Sequence, residues 1–76
     1  MATTFTPAGT APDGTKVYRT DRSREGLPIV LKIAPDGDPV AWWGQYPLGT
    51  GLEQVTLLRD WAAYLWGMLP ALGGAE

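Results

Sequence analysis

Two adjacent tryptophans, Trp42 and Trp43, follow a turn signal in the middle of the chain. If this segment is a strand, the two indoles point to opposite faces of the sheet, because successive strand residues alternate. A chain of 76 residues has little material with which to cover both faces. We therefore expect one indole to join the core and the other to belong to an aromatic surface that faces outward.

The composition limits how such a small core is stabilised. The chain contains neither cysteine nor histidine, so disulfides, thiol nucleophiles and the usual zinc ligands are excluded. Its four tryptophans, three tyrosines and one phenylalanine each bury a large area and can anchor a compact core. The length and composition predict one small domain over residues 15–76.

The first 14 residues are rich in Thr, Ala, Pro and Gly, and Phe5 is their only aromatic residue. Such a segment predicts an N-terminal arm over residues 1–14 that is flexible or is ordered by a partner, with Phe5 as its anchor.

A central hairpin is the clearest structural prediction. Ile29, Leu31 and Ile33 fall on one face of a strand by their period of two. The turn Pro35-Asp36-Gly37 follows, and residues 39–46 return antiparallel. With a further strand near residues 15–20, the pattern predicts a β-meander of about three strands with a central hairpin over 27–46. The tetrapeptide Ala-Pro-Asp-Gly occurs at 11–14 and at 34–37. One interpretation is two hairpins with residues 3–6 as a weak first strand; we interpret the repeat as shared turn chemistry rather than a structural repeat.

A helix is predicted from about residue 52 to about residue 69, giving an α+β fold. Thr50 and Glu53 have the spacing of a capping box, and Pro70 with Gly73-Gly74 would end the helix. One apolar stripe follows the helical period: Val55, Leu58, Ala62, Leu65 and Leu69. The predicted core combines Ile29, Leu31, Ile33, Leu58, Ala62, Leu65 and one tryptophan of the pair. Because the apolar arc is broad, some of Trp61, Tyr64 and Trp66 should face solvent or a partner.

The remaining side chains give little support to catalysis. Asp36 and Asp38 flank a turn glycine, where carboxyl groups are solvated and have no partner that would prepare them for acid–base chemistry. They also lack the further oxygen ligands of a calcium loop. We therefore expect no enzymatic activity, no cofactor and no metal site.

Aromatic residues and arginines dominate protein–protein hot spots, so the hypothesis is a non-catalytic interaction module. It would dock on a larger protein or complex and modulate it, with inhibition as the expected effect. The partner-binding residues would be Trp42, Trp43, Tyr46, Tyr64, Trp66, Arg19, Arg22 and Arg24. The net charge of −2 disfavours nucleic acid as the partner, and no apolar run is long enough to span a membrane. We expect a cytoplasmic or virion-associated protein.

In size and charge the chain resembles small acidic inhibitors of phages and mobile elements, such as anti-CRISPR proteins, and this is the kind of module that the hypothesis describes. Two alternatives stay open beside it: a structural subunit and an MbtH-like accessory protein. A virion or assembly subunit whose arm drapes over a neighbour, and therefore a homo-oligomer, has the same profile.

A second resemblance rests on residues 30–69. Gly37 precedes Trp42 by five residues, Pro47-Leu48-Gly49 follows, and the helix carries Tyr64. These features resemble MbtH-like proteins, accessory partners of adenylation domains in peptide synthetases. The resemblance implies a three-stranded sheet against a helix and covers about half of the chain. No Asn-Pro pair lies near Phe5 and no Trp follows Gly49, which are two departures from that family's pattern.

Overall fold

The computed structural model describes residues 3–68, which form a five-stranded antiparallel sheet with one helix packed on it. The strands pair in chain order, so the sheet is a meander. The prediction of an α+β fold with a C-terminal helix is confirmed, with five strands rather than about three. The elements are β1 (Phe5–Thr10), β2 (Lys16–Arg24), β3 (Leu27–Ile33), β4 (Pro39–Trp43), β5 (Tyr46–Pro47) and α1 (Leu52–Met68).

The two Ala-Pro-Asp-Gly segments make the same turn. In each, the glycine N–H donates to the alanine carbonyl, at 2.9 Å for Gly14 and 2.8 Å for Gly37. Both glycines have a positive φ, 96° and 95°, which L side chains avoid. One turn joins β1 to β2 and the other joins β3 to β4, so the repeated tetrapeptide encodes two hairpins at the same end of the sheet. That position follows from the pairing of Lys16 with Ile33.

The segment predicted as an arm contains strand β1. Phe5 lies opposite Thr20 in the sheet, is 4% exposed, and its ring lies 5.1 Å from that of Trp61. The sequence indicates at most a weak strand over residues 3–6, because Pro7 and Gly9 are poor strand residues. They are accommodated because β1 is an edge strand whose register shifts between Pro7 and Gly9.

The helix presents a different face to the sheet from the one predicted. Leu57 and Trp61 are buried, whereas Ala62 is exposed and Leu65 is 42% exposed. The predicted core positions Ala62 and Leu65 are therefore wrong. Trp61 explains the rotation: its ring is at the centre of an aromatic cluster, 4.7 Å from Tyr18 and 5.2 Å from Tyr64, and a large aromatic side chain gains more by burial than an alanine.

The other predicted core positions differ in how deeply they are buried. Ile29 and Leu31 are buried, and Ile33 and Leu58 are partly buried and packed against the same core. Leu69, Pro70 and the Gly73-Gly74 pair lie outside the described residues, so the predicted helix end is not described.

The start of α1 differs from the predicted capping box. The first helical hydrogen bond runs from the Val55 N–H to the Gly51 carbonyl at 3.1 Å, which makes Gly51 the N-cap residue. The Glu53 carboxylate lies 3.2 Å from the Arg24 guanidinium. This ion pair joins the first turn of the helix to the end of β2.

Candidate interaction surface

The β3–β4 register assigns each tryptophan of the pair to one face of the sheet. Trp43 lies opposite Ile29 and belongs to the face that packs against α1. Trp42 lies opposite Val30, which alternates with the buried Ile29 and Leu31 and so points to the other face. Trp43 is thus the core member of the pair, and Trp42 belongs to a face that α1 does not cover.

We call this surface the open face; its residues are Val17, Arg19, Val30, Lys32, Val40 and Trp42. The Lys32 ammonium lies over the Trp42 ring, 4.6 Å from the ring centroid, within the range of a cation–π interaction. Arg19 pairs with Val30, and Val30 pairs with Trp42, so these three residues form one row across the sheet. At strand spacings of about 4.8 Å, Arg19 and Trp42 are roughly 10 Å apart. The open face therefore combines an aromatic ring, two cations and an apolar strip.

A shallow groove of about 390 Å³ runs beside Trp42 towards the two Ala-Pro-Asp-Gly turns. Val17, Val40 and Trp42 supply apolar lining, Lys32 borders it, and Asp13 and Asp38 stand at the turn end. None of the lining residues belongs to α1. The Thr15 N–H donates to the Asp13 carboxylate at 2.9 Å and lowers the pKa of that carboxyl. The groove is thus apolar in its middle and anionic at one end.

The second tryptophan belongs to a separate group at the end of β2. The Trp43 indole N–H donates to the Arg24 carbonyl at 2.8 Å, and the Arg24 guanidinium lies 4.7 Å from the Trp43 ring centroid. Tyr46 is 60% exposed, and its ring is 6.4 Å from that of Trp43. Because Arg24 also pairs with Glu53, this group fixes the start of the helix against the sheet.

Arg22 takes part in a third arrangement, around a buried carboxylate. Asp60 is 8% exposed and accepts hydrogen bonds from the Thr3 hydroxyl (2.6 Å) and the Thr3 N–H (3.1 Å). The Arg22 guanidinium lies 3.2 Å from the same carboxylate oxygen, and its Nε–H donates to the Thr3 hydroxyl oxygen at 2.5 Å. The Thr3 hydroxyl is the main cause of the lowered pKa of Asp60, against the opposing effect of burial. These contacts connect the N-terminal residues, β2 and α1.

The structure therefore does not bring the eight predicted partner-binding residues together. Trp42 and Arg19 share the open face; Trp43, Tyr46 and Arg24 form the group at the helix start; Arg22 contacts Asp60. Tyr64 packs in the core, whereas Trp66 is 76% exposed on the outside of the helix.

Sequence reasoning missed Lys32, Val17, Val40, Asp13 and Asp38 at the groove. Lys32 could have been identified from the sequence, because it alternates in β3 with the buried isoleucines and leucine and must therefore point to the opposite face. The two aspartates carried no comparable signal, since isolated turn carboxylates are common on protein surfaces.

Comparison with protein-family models, with curated proteins and with solved structures gives no match for this chain. The similarity to MbtH-like proteins accordingly stays a matter of residue pattern. Within residues 3–68, no helix is long and apolar enough to cross a membrane. The same part of the chain holds no group of three acidic side chains placed to bind a metal ion.

Proposed function

We propose that the chain is a non-catalytic protein-interaction module that docks on a larger protein through the open face and modulates it, with Trp42 at the centre of contact. The observation that carries this proposal is that a tryptophan lies on the sheet face that the helix leaves uncovered. Tryptophan and arginine are the residues most enriched among interface hot spots. Trp42 and Arg19 lie in one row there.

The charges of the open face favour a particular kind of partner surface. Arg19 and Lys32 flank the apolar strip, while Asp13 and Asp38 stand at the turn end of the groove. A partner that fits would insert an apolar side chain beside Trp42 and place a carboxylate near Arg19. Binding would strip water from Lys32 and strengthen its contact with the Trp42 ring, because a cation–π interaction is stronger when it is desolvated.

Capture from a lysate of the organism that encodes the chain tests the proposal. The wild-type chain and its Trp42→Ala variant are immobilised, and captured proteins are quantified by mass spectrometry. A partner of the open face should be lost with Trp42→Ala, and its dissociation constant should rise by about 30-fold, which corresponds to a hot spot of about 2 kcal/mol. Lys32→Glu should weaken the same complex.

The matched control is Trp66→Ala, the same substitution of an exposed tryptophan on the outer side of the helix. It should leave capture of the open-face partner intact. Equal capture by the wild type and Trp42→Ala would contradict the proposal. Capture that disappears after nuclease treatment would show that nucleic acid, rather than protein, occupies the face.

An assembly subunit is the second candidate, and a specific observation favours it: the outer side of α1 carries several exposed apolar side chains. Deletion of residues 1–14, which would test a draping arm, removes β1 and Phe5 and is expected to unfold the sheet. Self-association is better tested on the helix.

A further inference from the structure

The outer side of α1 is unusually apolar for a surface helix. Leu52 is 81% exposed, Val55 57%, Leu65 42% and Trp66 76%. With the partly buried Leu58 and the exposed Ala62, these residues form what we call the outer stripe. At 100° per residue, its centre is about a third of a turn away from the side chains that pack on the sheet.

Few charges interrupt this surface. Between Leu52 and Met68 the ionisable acids and bases are Glu53, Arg59 and Asp60, with Tyr64 in the core. Glu53 pairs with Arg24 and Asp60 is buried against Thr3. Arg59, whose side chain is 77% exposed and whose Nε lies 3.8 Å from the Asp60 carboxylate, is therefore the one ionic group of α1 that borders the outer stripe. A solvated helix face normally carries many more.

The spacing within the outer stripe is self-complementary. Val55, Leu58, Ala62 and Leu65 are separated by three, four and three residues, the seam pattern of a two-stranded helix pair. In an antiparallel pair with its two-fold axis level with residue 60, Val55 of one copy meets Leu65 of the other, and Leu58 meets Ala62. A two-fold interface requires this kind of reciprocal match. We propose that the occupant of the outer stripe is a second copy of this chain, paired antiparallel along α1.

The area of the stripe agrees with a dimer of this kind. A large aromatic side chain has roughly 150–250 Å² of surface and Leu and Val have less, so the exposed fractions of Leu52, Val55, Leu65 and Trp66 amount to about 500 Å² per copy. A pair that covered all of this surface would bury about 1,000 Å², the lower bound for a specific interface. Leu52 and Trp66 of opposite copies lie at the two ends on the same flank, where they extend the apolar contact.

Arg59 gives the dimer a distinctive response to salt. The two-fold axis brings both copies of Arg59 to the same flank near the centre of the pair, where their like charges repel; the Asp60 carboxylate, 3.8 Å from the Arg59 Nε of its own copy, offsets part of this repulsion. Added salt screens this repulsion, so the dimer should become tighter at high ionic strength. A complex held by opposite charges would become weaker.

Light scattering on the purified chain, from about 5 to about 500 µM, covers the range in which an interface of about 1,000 Å² is expected to dissociate. The wild type should pass from monomer to dimer. Ala62→Glu, which places a carboxylate in the seam, should raise the dissociation constant at least about tenfold. Ala63→Glu is the matched control, because Ala63 is as exposed as Ala62 but lies outside the seam. This variant should still form the dimer.

Cysteine cross-linking tests the antiparallel arrangement while changing a single seam residue in each copy, and the chain has no native cysteine to interfere. A mixture of Val55→Cys and Leu65→Cys variants should form the mixed disulfide far faster than either variant alone forms its own. The proposal would be overturned if the chain stayed monomeric at every concentration, or if Ala62→Glu and Ala63→Glu weakened the dimer equally. Cross-links that join position 55 to position 55 would also overturn it, because they indicate parallel helices.

The dimer and the open face involve opposite sides of the molecule. The open face lies on the far side of the sheet from α1, so helix pairing would leave Trp42 of each copy accessible. Failure of dimerisation therefore leaves the proposed docking function untouched.

Discussion

Asp60→Asn should destabilise the fold, because Asp60 connects three segments of the chain through one buried carboxylate. It accepts two hydrogen bonds from Thr3 and pairs with Arg22 at 3.2 Å. Hydrogen bonds to a charged group contribute about 1.5–3 kcal/mol each, but asparagine retains one acceptor oxygen for Thr3. The Arg22 side chain is also 40% exposed, so water compensates part of its loss. We expect a net cost of about 2 kcal/mol.

Thermal unfolding followed by tryptophan fluorescence measures this cost. For a domain of this size, a loss of about 2 kcal/mol lowers the Tm by about 8–16 °C. Asp21→Asn is the control, since Asp21 is exposed and accepts a single hydrogen bond, from the Thr4 N–H at 3.2 Å. That substitution should change stability by no more than about 0.5 kcal/mol.

The pH dependence of the stability difference shows how much of the effect of Asp60→Asn is due to the loss of the charge rather than to the change of side chain. Its pKa is lowered in the folded state, so the folded protein binds fewer protons than the unfolded chain around that pKa. The stabilisation is complete above the unfolded pKa, about 3.8, and is lost as the pH falls through the lower folded value. The gap between wild type and Asp60→Asn should therefore narrow below about pH 4. A gap of the same size at pH 7 and pH 3 would refute the role of the charge.

Three further predictions, two on packing and one on a turn, are tested by urea denaturation. Leu57→Ala should cost about 2–5 kcal/mol because Leu57 is 1% exposed. At a concentration low enough to keep the chain monomeric, Leu65→Ala should cost less than about 1 kcal/mol; equal costs would contradict the helix rotation in which the sheet buries Leu57 and not Leu65. Trp43→Ala should destabilise the fold by several times more than Trp42→Ala, and the reverse order would exchange their faces. Glu25→Asn should stabilise the fold by about 0.5 kcal/mol, because Glu25 has a φ of 51° and a two-residue hairpin turn of this kind favours Asn-Gly. A loss of stability would contradict that turn assignment.

The parts of the fold that the sequence predicted are those with a local physical cause. The β3–β4 hairpin follows from a period of two around a Pro-Asp-Gly turn, and the second Ala-Pro-Asp-Gly turn follows the same rule. Strand β1 has no local physical cause of this kind, because its pairing depends on the contact of Phe5 with Trp61, a residue 56 positions later. A contact of that range is not encoded in the residues near Phe5, which are poor strand formers.

The face of α1 that packs on the sheet could not be predicted from periodicity alone. Two sets of residues share the period of 3.6: Leu57, Trp61 and Tyr64 on one side, and Val55, Ala62 and Leu65 on the other. Periodicity identifies both and does not choose between them. The choice depends on which set the sheet receives, and the aromatic partners Phe5 and Tyr18 select Trp61. The predicted site residues separate for the same reason, since Tyr64 follows Trp61 into the core.

Within residues 3–68, two surfaces are left without cover, the open face and the outer stripe, and they differ in kind. The open face holds Trp42 among cations and near carboxylates, and the partner that we propose for it carries complementary charges. Arg59 is the one ionic group of α1 that borders the outer stripe, and the stripe matches itself about residue 60, which is why we propose a second copy there. A chain that offers both can present two docking faces in one dimer. Affinity for a partner with two matching sites would then exceed that of one face alone.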